Sequence, residues 1–374
     1  MAIGKRRAFS DADIWNVDEI VLSSSETNRR ADVALAIGPQ IPAEINDAEV
    51  DQGTVRPPIQ RECKDMAIAT TLPEEELQRV PDLKAGVYAD GLPLHEVQYL
   101  QCKLILRPNK FDSRKRLFDF AKVLRKPAAE HKVSFSSGSF IDAPLKIREV
   151  LFIDTPDFRF YNNGFILRRR IPYADGFPIG DPEVVFKFRC PDMQKAAETD
   201  VRPQTYGDYR IKFKCEALPL KDRLGGIRRL FSHNVQFPLS HVHEDNRASM
   251  DTIMRIFPVL ERLRKEPGEK VEIVSSTIVE EVLQDIGIID FGNRMSAKAN
   301  VALWRARGDH RPLIGEFAFQ FKFKRREDLR EATIRKAAEF FRSLQYAAQD
   351  WISLASTKTG VVYGLHGIPR SAHE

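Results

Sequence analysis

The chain has 374 residues, 43% of them hydrophobic and 30% charged, with a formal net charge of +5. That is enough chain for one large or two ordinary domains with a substantial core, and no apolar run approaches the ~18 residues of a membrane-spanning helix. The basic residues near the N-terminus have no apolar stretch behind them, so a secretory leader is not expected. Cys63, Cys102, Cys190 and Cys215 lie far apart without CxxC pairing, as in free thiols of a reducing cytoplasm.

Charge divides the chain. Residues 1–90 hold 10 Lys/Arg against 17 Asp/Glu, a net of −7, which leaves +12 on residues 91–374. The first 90 residues carry only short apolar clusters broken by Pro39, Pro42, Pro57 and Pro58, and read as an acidic, partly disordered arm. Residues 91–366 form the body and 367–374 a short tail. A basic body favours an anionic ligand.

Along the body, 96–106 reads as a strand and 112–124 as a helix, with Leu117, Phe120, Ala121 and Leu124 at helical spacing and Asp112 or Ser113 as cap. Strands are expected near 133–136, 149–154, 165–171, 183–189 and 208–217. Helices are expected at 224–232 and 250–263. Strands return at 271–275, 294–305 and 315–324, followed by a helix over 327–346 and another carrying Trp351, Ile352 and Leu354. Many alternating strands with few crossovers predict an α+β fold: an antiparallel barrel of about eight strands with flanking helices.

Period-two alternation places residues i and i+2 on one face of a strand, so Arg168 pairs with Arg170 and Lys187 with Arg189. Like charges side by side repel, and a fold tolerates them best where an anion sits between them. The segment 208–218 sets Arg210, Lys212, Lys214 and Glu216 on one face and Ile211, Phe213, Cys215 and Ala217 on the other. Taken alone it is a solvated face over a core. Beside the other pairs it extends a basic wall. In 315–324, Phe317, Phe319, Phe321 and Phe323 must face a packed layer, while Glu316, Ala318, Gln320, Lys322 and Lys324 turn into the presumed barrel.

The run Asp154-Thr155-Pro156, then Gly164 with Leu167-Arg168-Arg169-Arg170, then a Lys/Arg strand closing in Arg189-Cys190-Pro191, resembles the CYTH superfamily, the triphosphate tunnel metalloenzymes. The resemblance spans roughly Leu94 to Leu365 with an insertion. It implies a tunnel that binds a triphosphate, nucleotide or polyphosphate, with Lys103, Arg168, Arg170, Lys187, Arg189, Arg210, Lys212 and Arg294 as phosphate-binding residues. It also implies Mg²⁺ or Mn²⁺ as cofactor, with Glu316 as the surviving metal contact. The other acidic positions implied by the resemblance hold Tyr99, Gln101, Ala318 and Gln320, and hard divalent cations bind such groups poorly.

Two functions therefore stand side by side: weak metal-dependent triphosphate hydrolysis, and a non-catalytic polyanion-binding or scaffold module. Nucleic-acid binding is a weaker third, resting on Arg325, Arg326, Arg330 and Arg335, charges that spread around a helix as a solvated face does. His241-Val242-His243-Glu244-Asp245 has a metal-like look but no second ligand pair beside it, and no P-loop or Gly-x-Gly-x-x-Gly turn is present. The expected location is the cytoplasm, with no membrane partner.

Overall fold

The computed structural model describes residues 96–205, 207–242, 249–323, 330–354 and 357–365. The expected acidic arm, the C-terminal tail, Lys324, Arg325, Arg326 and the sequence His243-Glu244-Asp245 lie outside the described residues.

The strands run β1 (Tyr99–Leu106), β2 (Ser134–Ser136), β3 (Lys146–Asp154), β4 (Phe165–Ala174), β5 (Phe177–Pro178) and β6 (Glu183–Cys190). They continue with β7 (Arg210–Pro219), β8 (Ile227–Pro238), β9 (Glu272–Ile273), β10 (Val279–Asp290), β11 (Ser296–Ala306) and β12 (Pro312–Lys322). Among the described residues nine of them close into a barrel, in the order β10-β11-β12-β1-β7-β8-β6-β4-β3 and back to β10. Within that ring only the β1–β7 pair is parallel. Closure leaves the barrel wall with no free edge.

The helices are α1 (Arg114–Glu130), α2 (Arg159–Asn162), α3 (Met193–Glu198), α4 (Met250–Ile256), α5 (Glu331–Ala347) and α6 (Lys358–Tyr363). Strict alternation in β12 sends Phe317, Phe319 and Phe321 outward. There Phe317 meets Phe120 of α1 at 5.0 Å, and Phe319 meets Phe340 and Phe341 of α5 at 5.9 and 6.1 Å between ring centroids. These rings join Leu100, Cys102 and Leu104 of β1 in the large core between barrel and helices. The same alternation turns Glu316 inward.

A second apolar cluster fills one end of the barrel interior. Ile105, Val150, Phe152, Ile166, Val279, Trp304 and Ile314 come from the strands, and Val362 and Tyr363 from α6. Asp154 ties this end together. Its buried carboxylate accepts hydrogen bonds from the backbone N–H groups of Thr155, Phe160 and Tyr161 (2.7–2.9 Å) and from the Tyr363 hydroxyl (3.1 Å). Gly164, at φ +84°, lets β4 start against β6: a Cβ there would lie 2.9 Å from the Arg189 carbonyl oxygen.

Several expected elements differ. Residues 227–232 belong to β8, not to a helix; Gly225 and Gly226 end the preceding loop, and the backbone pairs with β6 and β7 instead. The helix expected over 250–263 stops at Ile256 because Pro258 offers no N–H to continue it, and a 3₁₀ segment, Pro258–Leu263, follows. Trp351 and Ile352 lie in a turn that bridges back to Leu106, and the last helix starts at Lys358. The strand β10 was not foreseen. Among the described residues no helix is long and apolar enough to cross a membrane.

Candidate functional site

A cavity of about 230 Å³ occupies the barrel between the apolar end and the opposite mouth. Its wall carries Lys103 and Gln101 from β1, Arg148 from β3, Arg168 and Arg170 from β4, Lys187 and Arg189 from β6, and Lys214 and Glu216 from β7. Asn234, Glu281, Asn300, Trp304 and Glu316 are the remaining polar and aromatic strand contributions, Ile105, Val150, Leu218 and Leu283 the aliphatic ones, and Thr357, Lys358 and Thr359 arrive with α6. Among the described residues this is eight basic side chains against three acidic ones, a formal excess of five.

Register explains the convergence. Directly opposed residues of neighbouring strands point to the same side, so Arg170 against Glu183, Ile166 against Lys187 and Lys187 against Asn234 carry one inward face across β4, β6 and β8. The face continues through Arg148 against Glu281, and Glu281 against Trp304.

Each carboxylate is already engaged. Glu216 receives Lys103 and Lys187, both at 2.8 Å, and the Ser232 hydroxyl at 3.2 Å. Although burial alone would raise it, the ammonium groups of Lys103 and Lys187 and the Arg189 guanidinium hold the Glu216 carboxyl well below the usual carboxylate range. Glu281 accepts from Arg148 Nε at 2.7 Å and from the Trp304 indole N–H at 2.8 Å, and it shares Lys358 with Glu316. Arg170 is paired with Glu183 at 2.7 Å.

The cations outnumber these partners. Burial pushes Lys187 well below its ordinary value against the opposing pull of Glu216, with Arg189 and Lys103 adding to the depression. Burial, joined by repulsion from Lys103, brings Lys214 down to about 7. Burial and the neighbouring Arg168 bring Arg170 down to about 9. Arg168 is lowered too, by burial first, and its Nε is enclosed with no hydrogen-bond partner among the described residues. Such depression marks a site where positive charge is crowded before any ligand enters.

Of the residues expected to bind phosphate, Lys103, Arg168, Arg170, Lys187 and Arg189 line this cavity together, and so does Glu316. Arg210 and Lys212 share the inward-facing parity of β7 but lie beyond the lining. Arg210 is 71% exposed and bonded to Glu183, and Lys212 sits over the Tyr99 ring at 5.7 Å. Arg294 is not brought to the cavity. It is exposed in the turn before β11, at φ +64°, where the chain reverses through three successive residues at positive φ, Gly292, Asn293 and Arg294. Sequence reading missed Arg148, Glu281 and Lys358 as cavity residues. The first two lie in strands whose alternation carries charge on the lumen face, and the third comes from a helix remote in sequence.

The expected divalent metal meets a donor set that does not fit it. Among the described residues no three His, Cys, Asp or Glu side chains stand close enough together to hold an ion. Gln101 lines the wall, and Gln320 accepts from Lys214 at 2.8 Å. Tyr99 offers its ring to Lys212, Lys214 and Lys322 at 5.5–5.9 Å. Glu316 is bonded to Lys358 at 2.8 Å.

No family model and no curated protein matches the sequence. Solved structures that align with it include a Hippeastrum protein described as a candidate adenylyl cyclase with a dominant triphosphatase activity, at 10% identity and TM-score 0.34, over 74% of this chain and 100% of that one. A Pyrococcus horikoshii protein aligns at 13% identity and TM-score 0.26, over 66% and 89%. A candidate adenylate cyclase from Bacillus halodurans aligns at 10% identity and TM-score 0.28, over 66% and 90%. Similarity of this degree assigns neither a family nor an activity to the chain.

Proposed function

We propose that the protein binds the phosphate groups of a triphosphate, a nucleotide tail or a polyphosphate inside the barrel, and that it does so without a divalent metal. The observation that carries this reading is the formal excess of five basic over acidic side chains around one cavity, with Arg168, its Nε enclosed, at the wall. Guanidinium groups take phosphate oxygens through paired hydrogen bonds, and an enclosed wall screens them little. Lys103, Arg168, Arg170, Lys187 and Arg189 are the proposed contacts, joined by Arg148 and Lys214. Arg210 and Lys212 would draw the anion to the mouth.

Hydrolysis is the second reading, favoured by the resemblance of Asp154-Thr155-Pro156 and Leu167-Arg168-Arg169-Arg170 to triphosphate tunnel enzymes. No catalytic step is assigned, because phosphoryl transfer of that kind needs a positioned metal and the cavity carboxylates are held by lysine and arginine. A thermal-shift panel separates the readings. Triphosphate, polyphosphate and ATP should each raise the melting temperature equally with EDTA and with Mg²⁺. Stabilisation only in Mg²⁺, accompanied by phosphate release, would support the enzyme instead.

A further inference from the structure

Between Glu281 and Glu316, at the inner end of the cavity, stands the ammonium of Lys358. It lies 3.2 Å from Glu281 Oε1 and 2.8 Å from Glu316 Oε1, and 4.6 Å from the centroid of the Trp304 ring. Both carboxylates are nearly enclosed, at 5% and 9% side-chain exposure. They belong to different strands, β10 and β12, separated by β11, and are brought to the same point by the pairing of Ala302 with Glu316 and Glu281 with Trp304. Two buried carboxylates facing one point require a counter-cation, and here the chain supplies its own.

We propose that Lys358 is a resident counterion, occupying the place between Glu281 and Glu316 that a divalent cation would otherwise take, and thereby making the cavity a metal-independent anion site. Three features of the site support it. The ammonium is centred on the two acids and makes no contact with the third, Glu216. It is delivered by the first residue of α6, whose N-cap Thr357 accepts the backbone N–H of Gly360 at 3.1 Å and whose Tyr363 is anchored on Asp154, so the lysine is held from both ends of its helix. The Trp304 ring against the ammonium and the Trp304 indole N–H on Glu281 fix both partners from one side chain. The nature of the anion rests on the function proposed above, while the role of Lys358 against cations does not.

The test uses the full chain and two titrations. In the first, Mn²⁺ is titrated without phosphate and followed by electron paramagnetic resonance. Lys358→Met, which keeps the stem over Trp304, should bind Mn²⁺ at least tenfold more tightly than the unmodified protein, and adding E281Q and E316Q should remove the gain. In the second, inorganic triphosphate is titrated by calorimetry. The unmodified protein should bind equally in EDTA and in Mn²⁺, whereas K358M should lose at least tenfold in EDTA and recover it in Mn²⁺. An unchanged Mn²⁺ affinity in folded K358M, or a gained site that survives loss of both acids, overturns the proposal. If the unmodified protein binds no triphosphate, the function proposed above fails and the Mn²⁺ titration still decides the role of Lys358. Should K358M not fold, E316Q keeps the ammonium but frees it from one acid. It should then still show no Mn²⁺ site, and a gained one would count against the proposal.

Discussion

Replacing Glu216 with Gln separates folding from binding, because the two respond in opposite directions. The carboxylate is 3% exposed and holds two ammonium groups at 2.8 Å, so its loss strands Lys103 and Lys187 in a wall that also contains Arg189. Breaking a buried pair from one side costs about 3–5 kcal/mol, a fall on the order of 10 °C in melting temperature for a protein of this size. The carboxylate also opposes any anion held by the same lysines. A phosphate oxygen bridging them would stand about 5–6 Å from Glu216, where unit charges at an effective dielectric of about 20 repel by about 3 kcal/mol. E216Q should therefore melt lower without ligand yet bind triphosphate more than tenfold more tightly. Differential scanning calorimetry gives the first number and isothermal titration in EDTA the second. A variant that loses triphosphate affinity along with stability would refute the reasoning, because it would make Glu216 part of what holds the ligand.

Protonation offers a second test. Lys214 titrates near 7 in the folded protein against 10.5 when unperturbed. Between those values the unfolded chain binds more protons than the folded one, so this group makes ligand-free stability rise with pH across that window. A bound polyanion should restore the proton, and triphosphate binding at pH 8 should take up protons, measured by calorimetry in buffers of differing ionisation enthalpy. The uptake should shrink in Lys214→Met. Asp154→Ala should leave three backbone N–H donors and the Tyr363 hydroxyl without their acceptor, and lower stability by at least about 3 kcal/mol in a denaturation curve. Its position in the apolar end, away from the cavity lining, predicts that this loss is one of folding first.

The sequence made the cationic half of this site readable because β4, β6 and β12 alternate strictly, so parity alone sorted Arg168, Arg170, Lys187, Arg189 and Glu316 to the lumen and the phenylalanines to the helices. Where the pattern slips, the reading slipped with it. The strand β10 changes register between Asp285 and Gly287, which puts Ile286 and Ile289, three residues apart, on the same core side and hides a twelve-residue strand together with Glu281. Leu224, Ile227, Leu230 and Phe231 fall at helical spacing, although the residues from Ile227 onward are held in β8 by hydrogen bonds to two other strands, which no local pattern reports. Lys358 was out of reach for a different reason. A lysine at the start of a short helix carries no signal of its own, and only the folding of α6 against the barrel end places it between two acids contributed by strands about forty and eighty residues earlier in the chain.

Titration of the full chain with inorganic triphosphate in EDTA, alongside the double variant Arg168→Ala with Arg170→Ala, bears most directly on the barrel as an anion site. Triphosphate should bind the unmodified protein in the absence of any divalent cation and, at a hundred times its dissociation constant, stabilise the fold by about 2.7 kcal/mol. The double variant should lose most of that stabilisation, read against its own ligand-free melting temperature because removing Arg170 also takes the 2.7 Å partner from Glu183. Equal stabilisation of both proteins would place the anion outside the barrel and contradict the assignment of the cavity.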